Sequence, residues 1–190
     1  MSGLRVALSG SAGTGKSTLG RLLARELGLP FLEEGMRARL EAGLDLHALD
    51  ARGWPALIEE LWIEQREREE RAAGGFVCDR SSVDYAAFWL HYDLFADAAE
   101  TERWIERSLA EAERYDRILL FPWGVLPLED DGVRTTNRWV QFRFQALLEA
   151  LLERSPAAPR VLRVPATPSL EERLAAVLPV LLRGGHRAQG

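Results

Sequence analysis

Lysine is almost missing from this chain of 190 residues. Of its 24 lysines and arginines only Lys16 is a lysine, so an Asn-Lys-x-Asp guanine-recognition motif is excluded. Cysteine is nearly as scarce. Cys78 stands alone, which rules out a disulfide within the chain and fits a reducing compartment. No run of about 18 apolar residues occurs, so no membrane-spanning helix is expected. Met1 to Gly10 lacks the long apolar stretch and cleavage site of a signal peptide, and the expected location is cytoplasmic. His47, His91 and His186 are scattered with no zinc-binding spacing. An excess of positive charge is missing too. The formal net charge is -5 and the pI about 5.4, which argues against a nucleic-acid partner as well as a membrane one. An anionic ligand would have to be held by a local cluster of cations.

What is present suffices for one globular domain. Hydrophobic residues make up 47% and charged residues 28%, ordinary for a chain that buries a single core. Short apolar runs at Leu4 to Leu8, Pro30 to Glu33, Phe76 to Asp79, Arg117 to Phe121 and Val161 to Val164 predict five strands. Helical spacing of apolar residues fills the intervals, as in Trp54, Leu57, Ile58, Leu61 and Trp62. Further helices are predicted over Ser17 to Leu27, Met36 to Ala42, Val83 to Tyr92, Ala98 to Arg114 and around Val140 to Leu152. Ser169 to Glu172 reads as a capping box opening the last helix, which Pro179 is expected to kink or end. Alternating strands and helices predict an α/β fold of three layers, α/β/α. Its five-stranded, mostly parallel sheet would carry helices on both faces. The expected organisation is one domain over residues 1–183 and a flexible tail over 184–190. The oligomeric state, monomer or homodimer, stays open.

The first strand runs into Gly10-Ser11-Ala12-Gly13-Thr14-Gly15-Lys16-Ser17-Thr18, and a helix follows. This is the pattern G-x-x-x-x-G-K-[ST] in the context that gives it meaning, a phosphate-binding loop of the P-loop NTPase class. The glycines let the backbone wrap a phosphate with N–H groups inward, and the helix adds its positive N-terminal end. Lys16 is expected to reach the β- and γ-phosphates, Ser17 to ligate Mg²⁺, and Thr18 to touch an inner phosphate.

A second constellation follows the third strand. Asp79 ends that strand in an acid, where this class places a residue beside the magnesium. Arg80 comes next and can neutralise charge on a transferring phosphoryl group. Ser81 or Ser82 caps the next helix, with Asp84 in its first turn. The segment Asp79-Arg80-Ser81-Ser82-Val83-Asp84-Tyr85-Ala86-Ala87-Phe88 resembles the Asp-Arg segment of P-loop nucleoside and nucleotide kinases. It is most similar to the ATPase/kinase group typified by the ribosylnicotinamide kinase domain of NadR. Glu33-Glu34-Gly35-Met36-Arg37 resembles that group's Glu-x-x-Arg segment, and Asp130-Asp131-Gly132-Val133-Arg134 its Asp-Gly-x-Arg lid. The resemblance spans most of the chain and implies a kinase of a small hydroxylated substrate using Mg-ATP. Its Gly43 to Trp54 stretch departs from the better-known nucleoside kinases, so no motif names the acceptor.

Several candidates remain with two readings each. Glu34 either takes the proton from an acceptor hydroxyl, a role for which Asp79 competes, or holds a ribose; it is equally an acid at a helix start. Arg37 contacts substrate or lies on a helix face, and Asp84 binds substrate or caps its helix. Arg134 and Arg138 lie in or beside the polar stretch Pro127 to Thr136, a loop that would close over a triphosphate or merely be solvated. Trp54, Trp62, Trp89 and Tyr92 either stack on a base or, as their helical spacing favours, pack in the core; Trp123, ending the fourth strand, is the better pocket aromatic. Thr167, after the fifth strand, lies where kinases of this architecture place adenine. The competing function is a P-loop ATPase or switch acting on a protein partner. A motor ATPase would want an Asp-Glu pair where Arg80 follows Asp79.

Overall fold

The computed structural model describes residues 3–45, 48–50, 53–92, 94–95, 97–128 and 137–185. The strands are β1 (Arg5–Ser9), β2 (Phe31–Leu32), β3 (Phe76–Asp79), β4 (Arg117–Leu120) and β5 (Val161–Arg163). All pairings are parallel, in the order β2-β3-β1-β4-β5. The connecting helices are α1 (Lys16–Leu27), α2 (Gly35–Glu41), α3 (Gly53–Arg71), α4 (Ser82–His91), α5 (Ala98–Glu111), α6 (Arg138–Arg154) and α7 (Leu170–Gly185).

Strand side chains alternate between faces, so each strand feeds two cores. Val6 and Leu8 of β1, Val77 of β3 and Leu119 of β4 pack with Leu19 and Leu23 of α1 and Val177 and Leu181 of α7. Ala7, Cys78, Ile118 and Leu120 point the other way, against Ile58, Trp62, Tyr85, Trp104, Phe144 and Leu148 from α3 to α6. Cys78 is therefore a core residue. Trp62 and Trp89, too, are buried in this second core. Trp54 packs at its margin, stacked on Tyr92 with ring centroids 3.9 Å apart. Helices on both faces of a parallel sheet are the three-layer arrangement expected from the sequence.

Two helix ends lie elsewhere than the sequence alone would put them. The tenth residue of α7 is Pro179, and the helix continues past it to Gly185. Proline costs the helix one N–H bond, about 3 kcal/mol in an isolated helix interior. Val177 and Leu181, both essentially inaccessible, bury on either side of it and outweigh that cost. The fifth helix gives way to a 3-10 turn over Ala112–Arg114 rather than running unbroken.

The sheet order places β1 between β3 and β4: the connection leaving β1 runs towards β2, whereas the one leaving β3 crosses β1 to reach β4. A crevice opens at the carboxyl end of β1, where doubly wound folds bind ligands. Gly20 lets α1 lie close against β1 and β2: a Cβ there would sit 2.4 Å from Leu8 Cδ1 and 2.5 Å from Phe31 Cε2.

Candidate functional site

The loop from Gly10 to Gly15 leaves β1 and turns directly into α1. Gly13 (φ 73°) and Gly15 (φ 86°) occupy the left-handed region that side chains avoid. The Ser11 carbonyl accepts from Thr14 Oγ1 at 3.0 Å and from Lys16 Nζ at 2.7 Å, which curls the loop on itself. The first N–H to bond back into α1 is that of Leu19, to Gly15 O at 3.1 Å. The N–H groups of Lys16, Ser17 and Thr18 lie ahead of it, the arrangement that makes a helix start an anion site. A cavity of about 550 Å³ lies against this surface, with Gly13 to Thr18 on one side and Glu34, Asp79 and Arg80 on the other.

Lys16 is almost fully buried. Burial, then the neighbouring Arg80, lower its pKa to about 8; Asp79, Asp84 and Glu34 partly offset this. The ammonium is thus held against its own desolvation, a state that an incoming polyanion relieves.

Asp79, at the end of β3, faces the start of α1. Its Oδ2 accepts from Ser17 Oγ at 2.5 Å. Its Oδ1 is buried and has no hydrogen-bond partner, an uncommon state for a carboxylate oxygen. A hydroxyl beside a half-satisfied carboxylate is a hard oxygen donor set that fits Mg²⁺. Among the described residues no group of three or more His, Cys, Asp or Glu converges on a point. A cation here would therefore be shared with phosphate oxygens rather than caged by protein.

Arg80 is the only non-glycine with positive φ, 99°, among the described residues. Such a backbone costs about 1–3 kcal/mol and persists only where its surroundings hold it. Its N–H bonds Leu8 O at 2.9 Å, and its carbonyl accepts from Gln65 Nε2 at 2.6 Å. The turn sends the side chain back beneath the phosphate loop. There Nη1 donates to Gly10 O at 2.6 Å and to Asp84 Oδ1 at 3.0 Å, while Nε donates to Glu34 Oε1 at 3.0 Å. Phe88 and Phe144 flank the guanidinium, with ring centroids 5.0 and 5.5 Å away. Burial works against its charge, but Glu34, then Asp84 and Asp79, outweigh it and hold its pKa above the ordinary arginine value.

Asp84 lies wholly inside the protein. Its Oδ2 accepts from Ser9 Oγ at 2.6 Å and from the Ser81 N–H and hydroxyl at 3.0 and 2.9 Å. Both oxygens face protein donors, so Asp84 braces Arg80 and the strand ends and offers no surface to a substrate. Glu33, by contrast, is an exposed partner of Arg21 at 2.8 Å.

The structure brings Lys16, Ser17, Glu34, Asp79 and Arg80 together. It does not bring Trp123 to them. Trp123 and Arg138 line an adjoining cavity of about 340 Å³, which shares Ala12 to Thr14 and Leu126 to Leu128 with the first. The Arg138 guanidinium there lies 5.3 Å from the Trp123 ring centroid. Thr167 sits beside the loop: its carbonyl and that of Thr14 both accept from Arg173, at 2.7 Å each. Arg134 lies outside the described residues, as does the side chain of Arg37. Sequence reasoning missed Gln65, Gln141, Gln145 and Arg173, which fix the loop and Arg80 through backbone contacts. Their one signal was polar residues on or beside the apolar faces of α3, α6 and α7.

Fold and site together define a P-loop nucleotide-binding protein of the kinase-like architecture. The family model of the AAA domain matches residues 5–173, and the chain belongs to that family. No curated protein matches it in sequence. Among solved structures it is similar to the NadR protein in complex with NR, with a TM-score of 0.70 and 24% identity. That match covers 97% of this chain and 52% of the other, so the chain spans about half the length of NadR. It is also similar to deoxyadenosine kinase from M. mycoides (TM-score 0.65, 13% identity, 95% of this chain and 100% of that one). Thymidylate kinase from Ehrlichia chaffeensis gives a TM-score of 0.61 at 14% identity, over 96% of this chain and 100% of that one. At these identities the likeness is one of fold. No helix among the described residues is long and apolar enough to cross a membrane.

Proposed function

We propose that this chain is a kinase that transfers the γ-phosphoryl group of Mg-ATP to a small hydroxylated acceptor such as a nucleoside, riboside or nucleotide. The observation that carries this reading is the placement of Glu34 and Arg80, joined at 3.0 Å, across one cavity from the phosphate loop. A nucleotide switch needs no acid and cation on that side; a phosphoryl acceptor does. The neighbours named as kinases support the same direction.

In this reading the N–H groups at the start of α1 and Lys16 hold the β- and γ-phosphates. Ser17 and Asp79 would hold Mg²⁺, which supplies charge neutralisation on the phosphates when bound. With Asp79 committed to Ser17 and the cation, and Glu33 exposed and paired with Arg21, Glu34 is the acid that would take the acceptor's proton. Its Arg80 partner fixes the carboxylate and lends positive charge to the cavity wall as the phosphoryl group crosses. Trp123 and Arg138, on the adjoining cavity, and Thr167, after β5, would border the donor base rather than the acceptor. Arg134, on the strength of the Asp-Gly-x-Arg resemblance, contributes a further cation to the triphosphate, and Arg37 a contact to the acceptor.

The test is ADP release from Mg-ATP in the presence of a panel of nucleosides, ribosides and nucleoside monophosphates. Release above the rate with water for at least one acceptor is expected. ATP hydrolysis at one rate whatever the acceptor would favour an ATPase or switch acting on a protein partner.

A further inference from the structure

The phosphate loop is not held by its own strand and helix alone. Two glutamines one turn apart on α6 clasp it from behind. Gln145 Oε1 accepts from the Ser11 N–H at 2.9 Å, and Gln141 Oε1 accepts from the Ala12 N–H at 3.1 Å. Gln145 is itself fixed, because its Nε2 donates to Phe121 O at 3.0 Å and to Glu149 Oε1 at 2.8 Å. Both glutamines are more than nine-tenths buried. They lie at i and i+4, beside Phe144 and Leu148 that anchor α6 in the core.

The division of N–H groups along the loop is the informative point. Ser11 and Ala12 give theirs to α6. Those of Lys16 to Thr18 precede the first helical bond of α1 and are left for an anion. A free loop with all these donors unpaired would fold some of them onto its own carbonyls, and a nucleotide would have to undo that before binding. Committing the Ser11 and Ala12 donors to a rigid helix fixes the loop and keeps the rest available before the ligand arrives. Preorganisation of this kind shows as affinity, because the ordering cost is already met in the free protein.

We infer that Gln141 and Gln145 are positioning residues for the phosphoryl donor: they act through the backbone of Ser11 and Ala12 to set nucleotide affinity and leave the acceptor side untouched. The inference rests on reading the loop as a nucleotide site.

The test uses Mg-ADP binding by calorimetry with the full chain. Gln145→Leu orphans the buried Ser11 N–H and Gln141→Leu the half-buried Ala12 N–H; the first is expected to weaken Mg-ADP binding by about tenfold or more, the second by less. The acceptor KM should move by less than about threefold, and amide hydrogen exchange at Ser11 and Ala12 should speed up while exchange in β1 stays slow. A purely structural role would lower Tm and leave the Mg-ADP Kd unchanged in the folded variant, and that result overturns the inference. If Gln145→Leu does not fold, Gln145→Asn, one methylene too short to reach Ser11, carries the test with Gln141→Leu. Failure of the unaltered protein to bind Mg-ADP would instead sink the nucleotide reading, and this inference with it.

Discussion

Arg80 spans two acids of opposite character: its Nε meets Glu34 on the cavity wall at 3.0 Å while its Nη1 meets the fully buried Asp84 at 3.0 Å. One guanidinium thus ties the accessible acid, by way of a strained backbone turn, to a carboxylate with no exposed surface. Glu34→Gln keeps an oxygen for Arg80 and removes the base. A general base contributes about 10²–10⁴ to rate, and kcat should fall by that factor with Mg-ADP affinity within about twofold of the parent. Steady-state kinetics with calorimetry check it. An undiminished kcat would move the base role away from Glu34.

Arg80→Met tests the other half of the pairing. It fits the apolar slot between Phe88 and Phe144 but leaves Asp84 without its cation. Breaking one side of a buried ion pair costs about 3–5 kcal/mol. Urea unfolding should show a loss of that order. A loss below about 1 kcal/mol would mean that Ser9 and Ser81 satisfy Asp84 by themselves.

How much of this was legible in the sequence differs between the two halves of the site. The phosphate loop was readable because its chemistry needs fixed residues at fixed spacing. β3 was readable to its bounds, since a strand buried on both faces is a bare apolar run between a glycine pair and a helix cap. The capping of α4 by Asp84 was readable, and it accepts from the Ser81 N–H; its hold on the phosphate loop was not, because its partners Ser9 and Gly10 lie more than 70 residues away and only the sheet order β3-β1 brings them together. Gln141 and Gln145 were hidden for the same reason: a glutamine beside an apolar stripe looks like a solvated neighbour until α6 is docked on the loop. The continuation of α7 past Pro179 is a case of burial overriding local propensity, which no single-segment rule anticipates.

Lys16 offers a prediction about stability. Its pKa falls from 10.5 unfolded to about 8 folded, so between these values the unfolded chain binds more protons. Stability of the nucleotide-free protein should therefore rise as pH climbs from about 8 towards 10.5, and the full penalty is present below pH 8. The shift corresponds to on the order of 3 kcal/mol. Lys16→Met removes it, and Ser11 O still accepts from Thr14. The variant should be more thermostable than the parent at pH 7 and equal to it near pH 10.5, measured by differential scanning calorimetry. A lower Tm at pH 7 would contradict the account. Binding of a polyphosphate restores the charged state, so Mg-ADP affinity should weaken progressively above pH 8.

The buried, unpartnered Oδ1 of Asp79 sets up the fourth expectation. In the parent protein, Mg²⁺ should add to the rise in Tm that ADP gives alone, since any ligand of the folded state stabilises by mass action. Asp79→Asn should keep the rise due to metal-free ADP and lose the increment due to Mg²⁺. Equal increments in both proteins would remove Asp79 from the cation site.

The most direct test of phosphoryl transfer is to follow the label of γ-labelled ATP with the full chain, Mg²⁺ and each acceptor of the panel, separating products by chromatography and mass spectrometry. Label is expected on one acceptor hydroxyl, formed in step with ADP and abolished in Lys16→Ala under conditions where that variant remains folded. Label appearing only as free phosphate, at a rate indifferent to every acceptor, would contradict it.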